Sequence, residues 1–280
     1  MKHKFEDLPI TQEFRRANDG PYCRTEQAVR VDSPSAFHVV VRRVNVSSPA
    51  FLASTSKVVR FSESQYAIPN SVNIKLRTAA YYRHWEETDE CGIGDPEEAT
   101  LRRNTDLATL QQESSQTPIS GAHHVQTTLT YRSECWILCT STNPTSRTGL
   151  DNMRASVCRD YDAATLIADP SRFAKQLGID FGSALRPDDL EHPGPTWWAL
   201  LRQVFVDHGP VVYTDSPSEV IERFPKSSWG LVTPFVKRTH FSGQKEYRFV
   251  ISIGGSGDPK ERGLDLIITE ELRALAHLIE

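Results

Sequence analysis

The chain lacks several features that would assign it to a class at once. No stretch approaches the ~18 apolar residues that a membrane helix needs, and the segment from Met1 to Leu8 has no apolar signal-peptide core. Neither sign of charge dominates, since 32 Lys and Arg stand against 36 Asp and Glu. A protein that coats nucleic acid through many phosphate contacts would be more basic. We therefore expect a cytoplasmic protein without a membrane partner.

Cysteines and phosphate-binding motifs are also scarce. The five cysteines are scattered, and Cys135 and Cys139 lie in a hydrophobic run without any CxxC or HxxxH pattern. We expect reduced thiols, as is usual in the cytosol, core packing for this pair and no metal site. The sequence contains no P-loop, no GxGxxG fingerprint after a strand and no GxSxG elbow.

The remaining composition is that of an ordinary globular protein, with 280 residues of which 38% are hydrophobic. Runs rich in Val, Ile, Phe and Tyr predict nine strands: Phe37–Val46, Lys57–Phe61, Thr127–Tyr131, Cys135–Thr142, Ala163–Ile167, Val204–Val206, Val211–Tyr213, Tyr247–Ile253 and Leu264–Ile268. Apolar spacing and helix-start residues predict four helices: Leu150–Arg159, Pro170–Leu177, Ser216–Glu222 and Thr269–Ile279. We predict one α+β domain with a mixed, mostly antiparallel sheet and flanking helices. An N-terminal extension (about 1–35) and a flexible insertion (about 111–124) would adjoin it.

A late strand carries the clearest functional signal. Tyr247 and Phe249 alternate with Glu246 and Arg248, so the two pairs lie on opposite faces. A strand that buries its aromatic face can present a carboxylate at the mouth of the sheet, where loop and strand meet. The alternative is a half-exposed strand whose Glu and Arg are merely solvated, which is the commoner situation for charged residues.

Two further segments contain candidate ligand-binding groups. Tyr82, Arg83 and Trp85 lie close together before a Gly-Ile-Gly-Asp-Pro turn, and such side chains can stack on a planar ring and hold a phosphate. A surface helix followed by an acidic turn would give the same pattern. The Cys135–Thr142 strand is apolar on both faces, which favours a central place in the sheet. Its end, Thr140 to Asn143, either binds a ligand or begins a turn.

In this order, the segments resemble a prokaryotic family of poorly known function that is associated with phage defence. The resemblance is carried by Tyr81-Tyr82-Arg83-x-x-Glu86 with the following Gly92 to Glu98, by Cys135-Trp136 with the Met153 helix, and by Lys237 leading to Gln244-x-Glu246-Tyr-Arg248. The last segment is also similar to the Gln/Glu-x-Glu signature of ADP-ribosyltransferases. The chain departs from that pattern on its first strand, where His38 and Arg42 are the candidates for the expected residue, and at Thr140-Ser141-Thr142, which only approximates the middle motif.

The resemblance implies an ADP-ribosyltransferase-like fold with NAD as substrate. Glu246 would stabilise the oxocarbenium character of the ribose and Gln244 would help to place the acceptor. Arg83 would hold the pyrophosphate, Tyr82 or Trp85 would stack on a ring, and Ser141 would belong to the cofactor-binding set.

The function expected from the resemblance is an NAD-consuming effector or toxin in antiphage defence or a toxin–antitoxin pair. Its acceptor would be a nucleic acid or protein, and an antitoxin or defence protein would be its partner. The alternative is a non-catalytic module that binds a nucleotide or a partner protein in a defence system. The enzyme hypothesis requires that Glu246, Arg83 and the Thr140–Asn143 strand end converge on one cleft.

Overall fold

The computed structural model describes residues 43–47, 57–84, 95, 97–106, 126–142, 146–191, 203–253 and 258–279. The predicted N-terminal extension, the predicted insertion, Trp85 and most of the predicted strand Phe37–Val46 lie outside these ranges. No helix within them is long and apolar enough to cross a membrane.

Thirteen strands occur in the described residues: β1 (Arg43–Ser47), β2 (Val58–Ser62), β3 (Asn73–Thr78), β4 (Thr100–Asp106), β5 (Gln126–Arg132), β6 (Trp136–Thr142), β7 (Ala163–Ile167), β8 (Gln203–Pro210), β9 (Val212–Tyr213), β10 (Val236–Lys237), β11 (Glu246–Ile253), β12 (Leu264–Ile267) and β13 (Ala276–Ile279). Nine of them form one sheet in the order β1-β8-β11-β6-β2-β7-β13, and β3 joins β12 to the side of β6. In this sheet β1 and β8 run parallel and the other described pairs are antiparallel. The prediction of an α+β fold with a mixed, mostly antiparallel sheet is confirmed.

Within the described ranges, six α-helices flank the strands: α1 (Ala79–His84), α2 (Arg147–Val157), α3 (Pro170–Ala184), α4 (Pro217–Ile221), α5 (Trp229–Val232) and α6 (Glu270–Arg273). The longest, α3, begins as the sequence predicts, because the Asp169 side chain accepts a hydrogen bond from the Arg172 amide and Pro170 occupies the first helical position. Its buried Phe173 and Phe181 contact Phe249 and Trp136 of the sheet. Each such side chain contributes about 1.5–3 kcal/mol by burial.

Strand β11 lies between β8 and β6 and is covered on both faces. Tyr247 and Phe249 join the core beneath α3, whereas Val250 packs with Tyr82 of α1 on the opposite face. Glu246 and Arg248 share this second face and are buried with it. The interpretation of a half-exposed strand with solvated charges is therefore wrong.

The predicted terminal helix Thr269–Ile279 is also wrong beyond its first turn. Thr269 caps a helix that ends at Arg273, and Ala276–Ile279 then pairs antiparallel with β7 as an edge strand. The leucines there suited a helix and a strand equally, and pairing with the open edge of β7 decided between them. Prediction also missed β3, β4 and β10, whose charged or very short sequences give little β-signal.

Candidate functional site

Four charged side chains form one buried network, which we call the charge cluster: Glu98, Lys237, Glu246 and Arg248. Arg248 Nε lies 2.7 Å from Glu246 Oε2, and its two terminal nitrogens lie 2.6 and 2.9 Å from the Glu98 carboxylate. Lys237 Nζ lies 2.7 Å from Glu246 Oε1 and 3.8 Å from Glu98 Oε2. Two positive and two negative groups therefore neutralise one another away from water.

The neighbouring charges, and not burial, set the protonation states of Glu246 and Lys237. Glu246 is 6% exposed and Arg248 is 1% exposed. Burial alone would raise the pKa of Glu246, but the charges of Arg248 and Lys237 more than offset this and lower that pKa to about 2. Burial acts to lower the pKa of Lys237, and the Glu246 charge reverses the effect so that this pKa is raised. Glu246 and Lys237 therefore both stay ionised at neutral pH.

Separate parts of the chain bring the four groups together. Glu246 and Arg248 project from the same face of β11, as residues two apart must. Lys237 belongs to the two-residue strand β10, whose backbone pairs with that of Tyr213. Glu98 comes from the turn before β4, about 150 residues away from Arg248 in sequence.

Backbone strain accompanies both glutamates. Within the described ranges, the non-glycine residues with positive φ are Ala99 at 50° and Lys245 at 44°. Each directly follows or precedes an acid of the cluster, Glu98 or Glu246. A left-handed conformation disfavours residues with a Cβ, and such strain concentrates at functional positions. The two glutamates are therefore held in place at a conformational cost.

Aromatic hydroxyls and thiols surround the charges. The Tyr213 hydroxyl accepts a hydrogen bond from the Glu246 amide at 2.8 Å, and Cys139 Sγ lies 3.6 Å from the Tyr82 hydroxyl. Burial raises the pKa of Cys135 and of Cys139 to about 12 and that of Tyr82 well above its ordinary value. These thiols and the phenol therefore remain neutral and unreactive.

The structure brings some of the predicted site residues together. Ser141 lies opposite Glu246 in the β6–β11 register, and its hydroxyl donates to the Gln244 carbonyl at 3.0 Å. Tyr82 faces the same cluster from α1. Arg83 lies behind Glu98, where it donates to the Glu98 carbonyl at 3.0 Å and pairs with Glu134.

The convergence required by the enzyme hypothesis is therefore partial. Glu246, Ser141 and Gln244 are neighbours, but Glu246 and Ser141 are buried and the Arg83 guanidinium is directed elsewhere. Trp85, the proposed second stacking residue, lies outside the described residues, as do His38 and Arg42.

Sequence reasoning missed Glu98 and Lys237 as members of the site. Both stand within the segments that carry the family resemblance, but the resemblance implies no role for either residue. A signal was present at Lys237, the basic residue at which an apolar run meets a polar loop. Nothing in the local sequence indicated that it pairs with Glu246.

The remaining predictions concern cysteines and metals. Cys135 and Cys139 are free, whereas Cys158 is disulfide-bonded, so the expectation of reduced thiols is wrong for Cys158. In the part of the chain that the structure describes, no group of three or more His, Cys, Asp or Glu side chains is arranged to hold a metal ion.

Comparison of this chain with known protein families, with curated proteins and with solved structures finds no match.

Proposed function

We propose that the protein is a nucleotide-binding module in which Glu246 is not catalytic, in the antiphage or toxin–antitoxin setting that the family resemblance implies. The observation that carries this proposal is the engagement of both Glu246 oxygens by Lys237 and Arg248. A carboxylate that stabilises an oxocarbenium ion must face the ribose. Here the carboxylate faces two internal cations. Ion pairs of this kind hold the backbone in place and can support a neighbouring binding surface.

The segment Arg238–Lys245, which we call the basic loop, is the surface that this frame supports. It joins β10 to β11 and exposes three basic side chains, Arg238, His240 and Lys245, with no acidic residue between them. The His240 and Phe241 rings lie 3.9 Å apart between centroids. Aromatic rings beside cations suit a ligand that combines a planar base with phosphates.

Two contacts fix the basic loop to the body of the protein. Lys237 Nζ, while paired with Glu246, lies 4.3 Å from the centre of the Phe241 ring. From the other side, the Ser156 hydroxyl of α2 lies 3.0 Å from the Gly243 carbonyl and shares its proton between this oxygen and the Met153 carbonyl at 2.7 Å. A binding surface that is ordered before its ligand arrives loses less conformational entropy on binding.

Ligand-induced thermal shift tests the binding proposal. NAD and ADP-ribose should raise the melting temperature, and the shift should shrink as salt screens the phosphate contacts. The double variant Arg238→Gln/Lys245→Gln should lose most of the shift, whereas Lys75→Gln, which removes an exposed charge on β3, should keep it. Absence of a shift with either nucleotide at millimolar concentration would contradict the proposal.

A second candidate is the NAD-consuming enzyme, and the left-handed residues beside both glutamates favour it. Strain of this kind often belongs to a catalytic arrangement. Ser141 and Gln244 also adjoin Glu246, and an ionised carboxylate is the form that the chemistry needs. Catalysis would require the ribose to displace Lys237 from Glu246.

Nicotinamide release from labelled NAD separates the two candidates. The enzyme predicts release in the presence of cell extract and a loss of at least ~10²-fold in Glu246→Gln. Glu270→Gln, which neutralises an exposed carboxylate on α6, should release nicotinamide as the parent does. A rise in melting temperature with nucleotide, without nicotinamide release, supports the binding module. Nicotinamide release that is unchanged in Glu246→Gln contradicts a catalytic role for Glu246.

A further inference from the structure

The α3 side of β11 carries a second group of polar side chains that the proposed function does not use. The Tyr247 hydroxyl lies 2.6 Å from His208 Nδ1, and His208 Nε2 lies 3.3 Å from Ser171 Oγ. The three residues come from β11, β8 and α3. They form a chain of contacts from the buried phenol to an exposed serine.

The imidazole is held rigidly in this chain. His208 is 4% exposed and stands opposite Phe249 in the β8–β11 register. Its ring stacks on the Phe249 ring with 5.9 Å between centroids. In this position Nε2 faces the start of α3, where Ser171 lies.

The environment also selects the form of imidazole that can accept a proton. Burial raises the pKa of Tyr247, so the phenol is neutral and can either donate a hydrogen bond to Nδ1 or accept one from Nδ1–H. Burial lowers the pKa of His208 to about 4, with the Asp169 charge acting in the opposite direction. At neutral pH the ring is uncharged, and a base at this position requires the tautomer with its proton on Nδ1, in which the Nε2 lone pair faces the serine hydroxyl.

From this geometry we propose that Ser171 is a nucleophile for acyl transfer, with His208 as its general base and Tyr247 as the residue that positions the base. A serine beside a base that a third group orients is the arrangement that activates a hydroxyl. The substrate class is a small carboxylic ester that reaches the exposed start of α3. This site does not depend on the charge cluster, which lies across the sheet.

The reaction balances with water as the second reactant. Ser171 Oγ attacks the ester carbonyl carbon while its proton passes to His208 Nε2, and the departing alcohol takes that proton. Water then cleaves the acyl-serine with the same base and releases the acid. Asp169 uses its side chain and carbonyl for the Arg172 and Phe173 amides, so the Ser171 amide has no partner among the described residues and can bind the oxyanion.

A fluorophosphonate probe tests the nucleophile in the intact protein. Oγ bonds to phosphorus, the P–F bond breaks, fluoride leaves and the proton goes to His208. Peptide mass spectrometry should find Ser171 modified at least ~10²-fold faster than Ser183, the scale of general-base assistance. Ser183 is an internal control, because it is exposed on the same helix and its hydroxyl donates to the Ile179 carbonyl.

Variants and pH separate catalysis from simple packing. Ser171→Ala should abolish the labelling, Ser183→Ala should leave it unchanged, and the rate should fall as pH drops towards about 4, where His208 gains a proton. Among the described residues, Asp169 and Tyr247 are the titratable groups that face this ring. Tyr247→Phe should retain the fold and lower the rate about tenfold, the kinetic equivalent of one hydrogen bond.

Three results would contradict the proposal, the first two its nucleophile and base and the third its positioning residue. Labelling of Ser171 in the folded parent protein at the same rate as Ser183 would show that His208 does not activate the hydroxyl. A rate that stays constant from pH 8 to pH 4 would exclude His208 as the base. An unchanged rate in folded Tyr247→Phe would remove Tyr247 from its positioning role.

Discussion

Strand β11 buries polar groups on both faces, and the two faces do so in different ways. Towards α1, Glu246 and Arg248 enter a network of full charges that closes on itself. Towards α3, Tyr247 contacts an uncharged His208, and the contacts continue to the exposed Ser171. Each buried charge requires a partner, because an isolated ion is costly inside a protein.

The comparison shows that charge alone does not identify a reactive group. Glu246 has the more strongly ionised side chain, but its oxygens are already engaged with Lys237 and Arg248. Ser171 is neutral, but it is exposed and has a base beside it. Access to a ligand therefore favours the α3 face for chemistry and the basic loop for binding.

Removal of Arg248 disrupts the charge cluster and should have the largest effect on the free energy of unfolding. In Arg248→Met the two glutamates retain Lys237 alone, and the free energy of unfolding should fall by about 3–5 kcal/mol because a charge is left buried without its pair. Urea denaturation measures the loss. Arg262→Met is the control, since that guanidinium is 65% exposed beside Asp189 and should contribute less than ~1 kcal/mol. Equal losses of unfolding free energy in Arg248→Met and Arg262→Met would show that Arg248 does not stabilise the charge cluster.

The ionisation of Glu246 gives the second-largest effect and a defined pH window. Its pKa falls from 4.5 in the unfolded chain to about 2 in the folded protein, so the stabilisation is complete above pH 4.5 and is lost as pH falls towards 2. The total is about 3 kcal/mol at 1.36 kcal/mol for each unit of pKa.

The variant Glu246→Gln isolates this contribution. The difference in unfolding free energy between parent and variant should be constant above about pH 5 and shrink at lower pH. For Glu270→Gln, a change at an 89% exposed carboxylate, the difference in unfolding free energy from the parent should not shrink in this way. A difference that persists unchanged to pH 2 would contradict a depressed pKa for Glu246.

The sequence predicted β11 well because the alternation of Tyr247 and Phe249 with Glu246 and Arg248 is a local property. It also identified β6 as central, since both of its faces are apolar. Whether the charged face is open or covered depends on Glu98 and Lys237, which approach from distant segments. No local pattern encodes such an approach, so the closure of the site could not be predicted.

The α3 face was missed for a related reason. His208 and Ser171 are 37 residues apart and carry no motif, and their contact exists only because β8 pairs with β11 beneath α3. Tyr247 was assigned correctly to a buried face but only as a packing residue. The same register that buries its ring brings its hydroxyl to the imidazole.

The hydroxyl of Tyr247 offers a milder test of this α3 face. Tyr247→Phe keeps the ring in the core and removes one hydrogen bond to His208, so unfolding should become about 1 kcal/mol easier. The loss should be the same from pH 5 to pH 8, because neither the phenol nor the imidazole changes charge there. A loss as large as that of Arg248→Met would show that the two faces are equally sensitive to removal of a polar group.

The smallest expected change has the opposite sign and concerns the strain beside the charge cluster. Lys245 holds φ at 44° immediately before Glu246, a conformation that glycine adopts without a steric penalty. Lys245→Gly should therefore raise the free energy of unfolding by about 0.5 kcal/mol, the net of strain relief and greater chain entropy. Lys260→Gly, at a residue whose own φ is not positive, should lower it by roughly 0.5–1 kcal/mol. Parallel urea titrations measure both, and equal losses would contradict stored strain at Lys245. A higher free energy of unfolding in Lys245→Gly alone would show that the backbone is strained where the basic loop joins β11.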